Sequence, residues 1–192
     1  PSLLKRIEIA KNDPDIIDPD NSALLEKYSA ELTRRNLVDL GDLIYLTEKL
    51  LRENPDPAET IRNRYEYIMV DEFQDVSRNQ YRLLQSLAPP PSASLMVIGD
   101  PDQSIYGFRG GSPHFIDEFV QDYDPCRRIK LHRTYRCPAT FLKGASAVLM
   151  KNEYPAGRNE DTGITLIRHL TDRSEADWIA ATIEKSLGGV RS

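Results

Sequence analysis

A mixed α/β fold with a parallel sheet is predicted for this 192-residue chain, and three features predict it. Residues 67–70 (Tyr-Ile-Met-Val) and 95–98 (Leu-Met-Val-Ile) are short apolar runs that read as buried strands. Residues 78–87 lie between them with Tyr81, Leu84 and Leu87 at helical spacing, so the order is strand, helix, strand, a βαβ unit with a right-handed crossover. Both runs end abruptly in acids, Asp71-Glu72 and Gly99-Asp100. Open α/β sheets bind their ligands at such strand ends.

The remaining elements follow in order. Residues 1–20 are polar and broken by Asp13-Pro14 and Asp18-Pro19, which suggests a loop or linker around a short helix. From Asn21, the spacing of Leu25, Tyr28 and Leu32 predicts a helix. A second helix is expected over about 38–52, with Leu40, Leu43, Ile44, Thr47, Leu50 and Leu51 on one stripe, and Asn54-Pro55 stops it. Pro89-Pro90-Pro91 ends the helix of the βαβ unit. Ser112-Pro113 opens another helix with proline at its first position and Phe115, Ile116 and Phe119 on its apolar side. Residues 129–131 are a third strand candidate, Cys137-Pro138 begins a helix through Leu149, residues 151–162 form a polar loop, and 164–167 read as a strand. A last helix starts at Ser174, with Asp177 placed for a capping box and Trp178, Ile179 and Ile183 expected to face inward. Gly188-Gly189 ends it.

Composition narrows the classes. A 40% apolar chain can offset the entropy of ordering, so disorder is not expected. There is no 18-residue apolar run and no leader-like start, so no membrane partner is expected. The two cysteines, Cys126 and Cys137, lack metal or redox spacing, which fits a reducing, cytoplasmic location. His114, His132 and His169 show no ligand spacing. The net charge of −5 hides an asymmetry. Residues 1–75 are acid-rich, whereas 126–158 carry Arg127, Arg128, Lys130, Arg133, Arg136, Lys143, Lys151 and Arg158 against the one acid Glu153. Such a patch suits phosphates, and equally a solvated face.

Two segments carry chemistry. In Val70-Asp71-Glu72-Phe73-Gln74-Asp75, an aspartate at a strand end suits a Mg²⁺ ligand and a following glutamate suits a base that polarises water. Adjacent strand residues point to opposite faces, so the two acids serve one site only where the backbone turns. The alternative is an ordinary helix N-terminus decorated with acids. The second segment, Gly99-Asp100-Pro101-Asp102-Gln103-Ser104-Ile105-Tyr106-Gly107-Phe108-Arg109-Gly110-Gly111, is unusually rich in Gly, Asp and aromatics for a βα loop. Gln103 suits sensing of a terminal phosphate. Tyr106 and Phe108 beside Arg109 suit base stacking, or else fold inward as loop anchors.

These two segments, followed by Leu131-His132-Arg133-Thr134-Tyr135-Arg136-Cys137-Pro138, resemble in order and spacing the signature motifs of UvrD/Rep/PcrA-type superfamily 1 DNA helicases. Residues 38–43 (Val-Asp-Leu-Gly-Asp-Leu) also resemble the helix leading into the Asp-Glu strand there. The resemblance spans roughly 25–187. It implies an ATP-driven 3′→5′ translocase that unwinds duplex DNA, with ATP and Mg²⁺ held between two RecA-like P-loop NTPase domains. Residues 1–36 would be the end of a helical insertion, 37–131 the later half of the first RecA-like domain, and 132–192 the start of the second. Asp71 resembles the Mg²⁺ ligand, Glu72 the catalytic base and Gln103 the γ-phosphate reader. Tyr106, Phe108 and Arg109 resemble the segment coupling ATP to single-stranded DNA, with Phe108 where tryptophan is usual. Tyr135 resembles the ring packed on adenine and Arg136 an arginine finger. Thr134 and Cys137 depart from the usual Asn and Ser.

The sequence holds no G-x-x-x-x-G-K-[ST] phosphate loop. The family places that loop upstream, and the chain starts at Pro1 rather than Met. The resemblance therefore implies a middle fragment, inactive alone, whose partners are single-stranded and partly duplex DNA and the other domains of its parent. Two other readings are a non-catalytic DNA-binding or docking module derived from a helicase, and a two-metal nuclease built on Asp71, Glu72, Asp75, Asp100 and Asp102. The helicase part of a helicase–nuclease fusion is also compatible.

Overall fold

Strand pairing sets the frame of the site. In the computed structural model, which describes residues 2–13, 18–91, 94–105, 107, 111–152, 155–158 and 163–188, β1 (Ile68–Val70) pairs in parallel with β2 (Leu95–Val97). The register matches Ile68 with Leu95 and Val70 with Val97. The intervening helix α5 (Arg78–Leu87) begins with a capping box in which Ser77 and Gln80 satisfy each other's backbone amides. The predicted βαβ order is thus present. The chain divides into two units, Pro1–Arg128 and Ile129–Ser192.

In the first unit, among the described residues, four α-helices precede the strands: α1 (Leu3–Asn12), α2 (Pro19–Arg34), α3 (Asp42–Glu53) and α4 (Pro55–Arg62). Ser2 caps α1 and Asp18 caps α2, whose Pro19 sits at the first helical position. Residues 1–20 are therefore more helical than the sequence suggested. Ile7 and Ala10 of α1 pack on Leu25 of α2 in a small core. The expected stop at Asn54-Pro55 ends α3 but also starts α4, because proline ends one helix and suits the first turn of the next. The stripe predicted on α3 is buried only at Leu51; Leu43 and Leu50 are exposed.

The main core lies under the paired strands. Phe73, Tyr81, Leu84, Phe115, Phe119 and Tyr123 are buried together, with Ile68, Val70, Leu95 and Val97 packed against them. Phe73 meets Tyr81 and Phe119 edge-on at 6.0 and 5.6 Å, a favoured geometry for ring quadrupoles. Phe115 and Phe119 come from α6 (His114–Asp122), as the sequence predicted, with Pro113 just before its first turn. Tyr123 donates to the Ala88 carbonyl at 2.6 Å, and burial with the nearby Asp122 charge pushes its hydroxyl up to about 12.

In the second unit, β3 (Arg133–Pro138) pairs in parallel with β4 (Ala156–Arg158), and α7 (Ala139–Val148) lies between them in sequence. Here the sequence reading needs correcting. Residues 129–131 and 164–167 are not strands, and the expected polar loop contains β4. The register pairs Arg133 with Ala156 and Pro138 with Arg158, and neither strand is an apolar run. Gly157 explains the placement: a Cβ there would lie 2.6 Å from the Ala139 amide nitrogen. Helix α8 (Asp172–Ser186) is capped by Thr171 with Ser174, one turn before the predicted Ser174–Asp177 box. Trp178, Ile179 and Ile183 are exposed rather than inward-facing. Among the described residues, no helix is long and apolar enough to cross a membrane.

Candidate functional site

The parallel pairing continues past the strand ends. Ile98 N–H donates to the Val70 carbonyl at 2.8 Å, and Phe73 N–H to the Ile98 carbonyl at 2.9 Å. Between those bonds lie Asp71 and Glu72. Glu72 leaves the strand in a left-handed conformation, φ 52° and ψ 41°, and a 3-10 turn at Phe73–Asp75 follows. This is the backbone turn that two adjacent acids need to serve one site. Asp71 Oδ1 accepts the Glu72 N–H at 2.9 Å, and both acids are exposed. The buried Phe73 ring anchors the turn from below.

Gln74 ties this turn to the end of β2. Its side chain is 1% exposed. Nε2 donates to Glu72 Oε2 at 2.6 Å, and Oε1 accepts the Asp100 N–H at 2.9 Å. Asp100 caps the 3-10 turn Pro101–Gln103, and its Oδ2 accepts from Gln103 Nε2 at 2.7 Å. Glu72, Gln74, Asp100 and Gln103 thus form one hydrogen-bonded chain across the two strand ends. Glu72, next to Asp71 in sequence, is thereby linked to Gln103 through Gln74 and Asp100. Gln74 had no role assigned from sequence. Gly99 makes room for it: a Cβ there would sit 2.9 Å from Gln74 Oε1.

Tyr106, Phe108 and Arg109 lie outside the described residues. Downstream, the buried Gly111 passes against Asp75, whose carbonyl oxygen would lie 2.9 Å from a Cβ at position 111. Tyr135 and Arg136 belong to the second unit, on β3. The Tyr135 ring is 77% exposed, with the Arg133 guanidinium 5.3 Å from its centroid. Arg136 is exposed, and its backbone N–H donates to Thr134 Oγ1 at 3.2 Å. Both cysteines are free thiols.

Among the described residues, no three His, Cys, Asp or Glu side chains are grouped as metal ligands. Asp71 still suits Mg²⁺, which is commonly held by one or two carboxylates together with substrate phosphates. One of its oxygens is engaged with the Glu72 amide, and the carboxylate is open to solvent.

Strand-end acids, a glutamine beyond the neighbouring strand and a glycine-rich loop define a class. Residues 4–124 match the family model described as the UvrD/REP helicase N-terminal domain, and the chain belongs to the UvrD/REP helicase family. It is 37% identical over 164 residues to the ATP-dependent DNA helicase PcrA of Leuconostoc citreum, covering 82% of this chain and 22% of that protein. It is 35% identical over 165 residues to PcrA of Staphylococcus aureus strain Mu50, with 82% and 22% covered. The chain thus spans about a fifth of the length of these curated relatives.

Proposed function

We propose that the chain is part of an ATP-dependent DNA helicase in which hydrolysis drives 3′→5′ movement along single-stranded DNA and unwinding of duplex, in DNA repair or replication. The observation that carries this reading is the hydrogen-bonded convergence of Glu72 and Gln103, beside Asp71, at the ends of two paired parallel strands. The paired strands are read as part of a RecA-like sheet, with residues 37–131 in the first such domain, 132–192 opening the second, and 1–36 in a helical insertion. The remaining domains of the parent would complete the ATP site, and the reaction is cytoplasmic.

Asp71 would hold Mg²⁺ with ATP, and the ion when bound neutralises charge on the phosphates. Glu72 orients and deprotonates the attacking water. Gln103 reads the γ-phosphate. The exposed Tyr135 ring offers a face for adenine, and Arg136 supplies charge to the transition state. Tyr106, Phe108 and Arg109 couple these events to single-stranded DNA. The basic 126–158 segment supports phosphate contact.

The test uses the full-length protein. Glu72→Gln is nearly isosteric and should abolish DNA-stimulated ATP hydrolysis while a non-hydrolysable ATP analogue still binds. Retained turnover with lost analogue binding would assign Glu72 to binding or structure and sink the reading.

A further inference from the structure

We infer that Gln74 is the positioning residue for Glu72, holding its carboxylate in register with the Asp100–Gln103 turn through a single buried amide. The inference rests on the proposed reading of Glu72 as the base.

The orientation of the amide is fixed by elimination. The Asp100 backbone N–H is a donor only, so it must meet Oε1, at 2.9 Å. The Gln74 NH₂ is then forced toward Glu72 Oε2, at 2.6 Å, a charge-assisted bond. The side chain is fully buried, so neither bond competes with bulk water. Gly99 leaves the space that the amide fills, because a Cβ there would sit 2.9 Å from Oε1 and 3.2 Å from the Gln74 backbone nitrogen.

Glu72 is itself exposed and has three rotatable side-chain bonds, so its carboxylate needs a partner to hold it in place. Its left-handed backbone turns the residue out of the strand, and Gln74 anchors the far end. The same amide is bonded to Asp100, whose carboxylate holds Gln103 at 2.7 Å. Movement of the Gln103 turn and aim of the Glu72 carboxylate therefore share one intermediate. A base misplaced by about 1 Å loses on the order of 10²-fold in rate.

The experiment compares Gln74→Met, Gln74→Glu and Gly99→Ala with Glu72→Gln in the full-length protein. It measures single-turnover ATP hydrolysis with saturating single-stranded DNA, affinity for a non-hydrolysable ATP analogue, and melting temperature. Met keeps the length and loses both bonds. Glu keeps an acceptor for the Asp100 N–H but sets a carboxylate against Glu72. Both Gln74 variants should lower the hydrolysis rate at least roughly tenfold, with analogue affinity changed less than about threefold. Gly99→Ala, which displaces the amide from the other side, should lower the rate in the same way. Normal hydrolysis in Gln74→Glu would show that only the Asp100 bond matters and would overturn the inference. If neither Gln74 variant is folded by melting, Gly99→Ala decides alone: normal hydrolysis there overturns the inference. Retained hydrolysis in Glu72→Gln would remove the underlying reading and the inference together. Loss in Glu72→Gln with normal rates in the Gln74 variants would remove the inference only.

Discussion

Lys11 Nζ lies 2.6 Å from Asp42 Oδ1, with both side chains buried and the two residues 31 positions apart in sequence. The same ammonium bonds both oxygens of Asp39 at 2.9 Å, and Tyr28 donates to Asp39 Oδ2 at 2.8 Å. The backbone carbonyl of Lys11 accepts from Asn79 Nδ2 on α5 at 3.0 Å. One lysine on α1 therefore joins α2, the start of α3 and α5. Lys11→Met keeps the apolar stem but leaves Asp42 buried without its partner. The expected cost is about 3–5 kcal/mol, read from the urea midpoint at neutral pH. A loss below about 1 kcal/mol would show that water compensates these acids.

The same cluster sets an acid limit. Burial alone would raise the Asp39 carboxyl, but bonds from Lys11 and Tyr28 outweigh it and hold the group below its ordinary value. A carboxyl depressed in the folded state adds stability that is complete above its unfolded pKa and is lost as pH falls through the folded one. Urea midpoints of the wild-type chain should therefore fall as pH drops below about 4. Asp39→Asn should start lower at neutral pH and show a shallower acid decline. Parallel acid declines would remove Asp39 as their source.

Two glycines of the 99–111 loop should respond differently to the same methyl group. At Gly111 a Cβ meets the Asp75 backbone at 2.9–3.2 Å, and that backbone is fixed by the 3-10 turn. Gly111→Ala should cost about 1–3 kcal/mol. At Gly107 nothing among the described residues lies within 4 Å, so Gly107→Ala should change stability by less than about 0.5 kcal/mol. Equal melting temperatures for the two variants would contradict the close approach at Asp75.

Arg136 separates catalysis from DNA contact. If it serves the transition state, Arg136→Lys in the full-length protein should lower kcat by at least roughly 10²-fold with little change in KM for ATP. If it contacts DNA phosphate, lysine should substitute well, and Arg136→Ala should show weaker, more salt-sensitive DNA binding. ATPase assays at saturating DNA and affinities across a salt series distinguish the two.

The parts of the fold legible in the sequence are those where burial writes a pattern. The strand pair and α5 were visible because Ile68, Val70, Leu95, Val97, Tyr81 and Leu84 all feed one core. The β3–β4 pair was not, because its side chains are mostly exposed and only the close approach at Gly157 marks it. The apolar stripe of α8 correctly indicated a helix but not a covered face, since periodicity reports amphipathicity and not a partner. At the site, the sequence singled out Asp71, Glu72 and Gln103, and the structure places Glu72 and Gln103 in one hydrogen-bonded chain. Gln74 and Lys11 were not singled out: each acts through partners distant in sequence, Asp100 at 26 residues and Asp42 at 31.

The left-handed turn places a glutamate where glycine would be at ease. A non-glycine residue there costs roughly 1–2 kcal/mol relative to one at ease in that region. Glu72→Gly and Glu72→Ala both remove the carboxylate and the bond it accepts from Gln74 Nε2, so the difference between them isolates the backbone effect. Thermal melting of the Gly and Ala variants would measure it, with Gly expected above Ala. If Glu72 is the base proposed above, sequences released from the need to hydrolyse nucleotide would drift at this position toward Gly or Asn, and the residue found here would then report whether a related chain keeps that base.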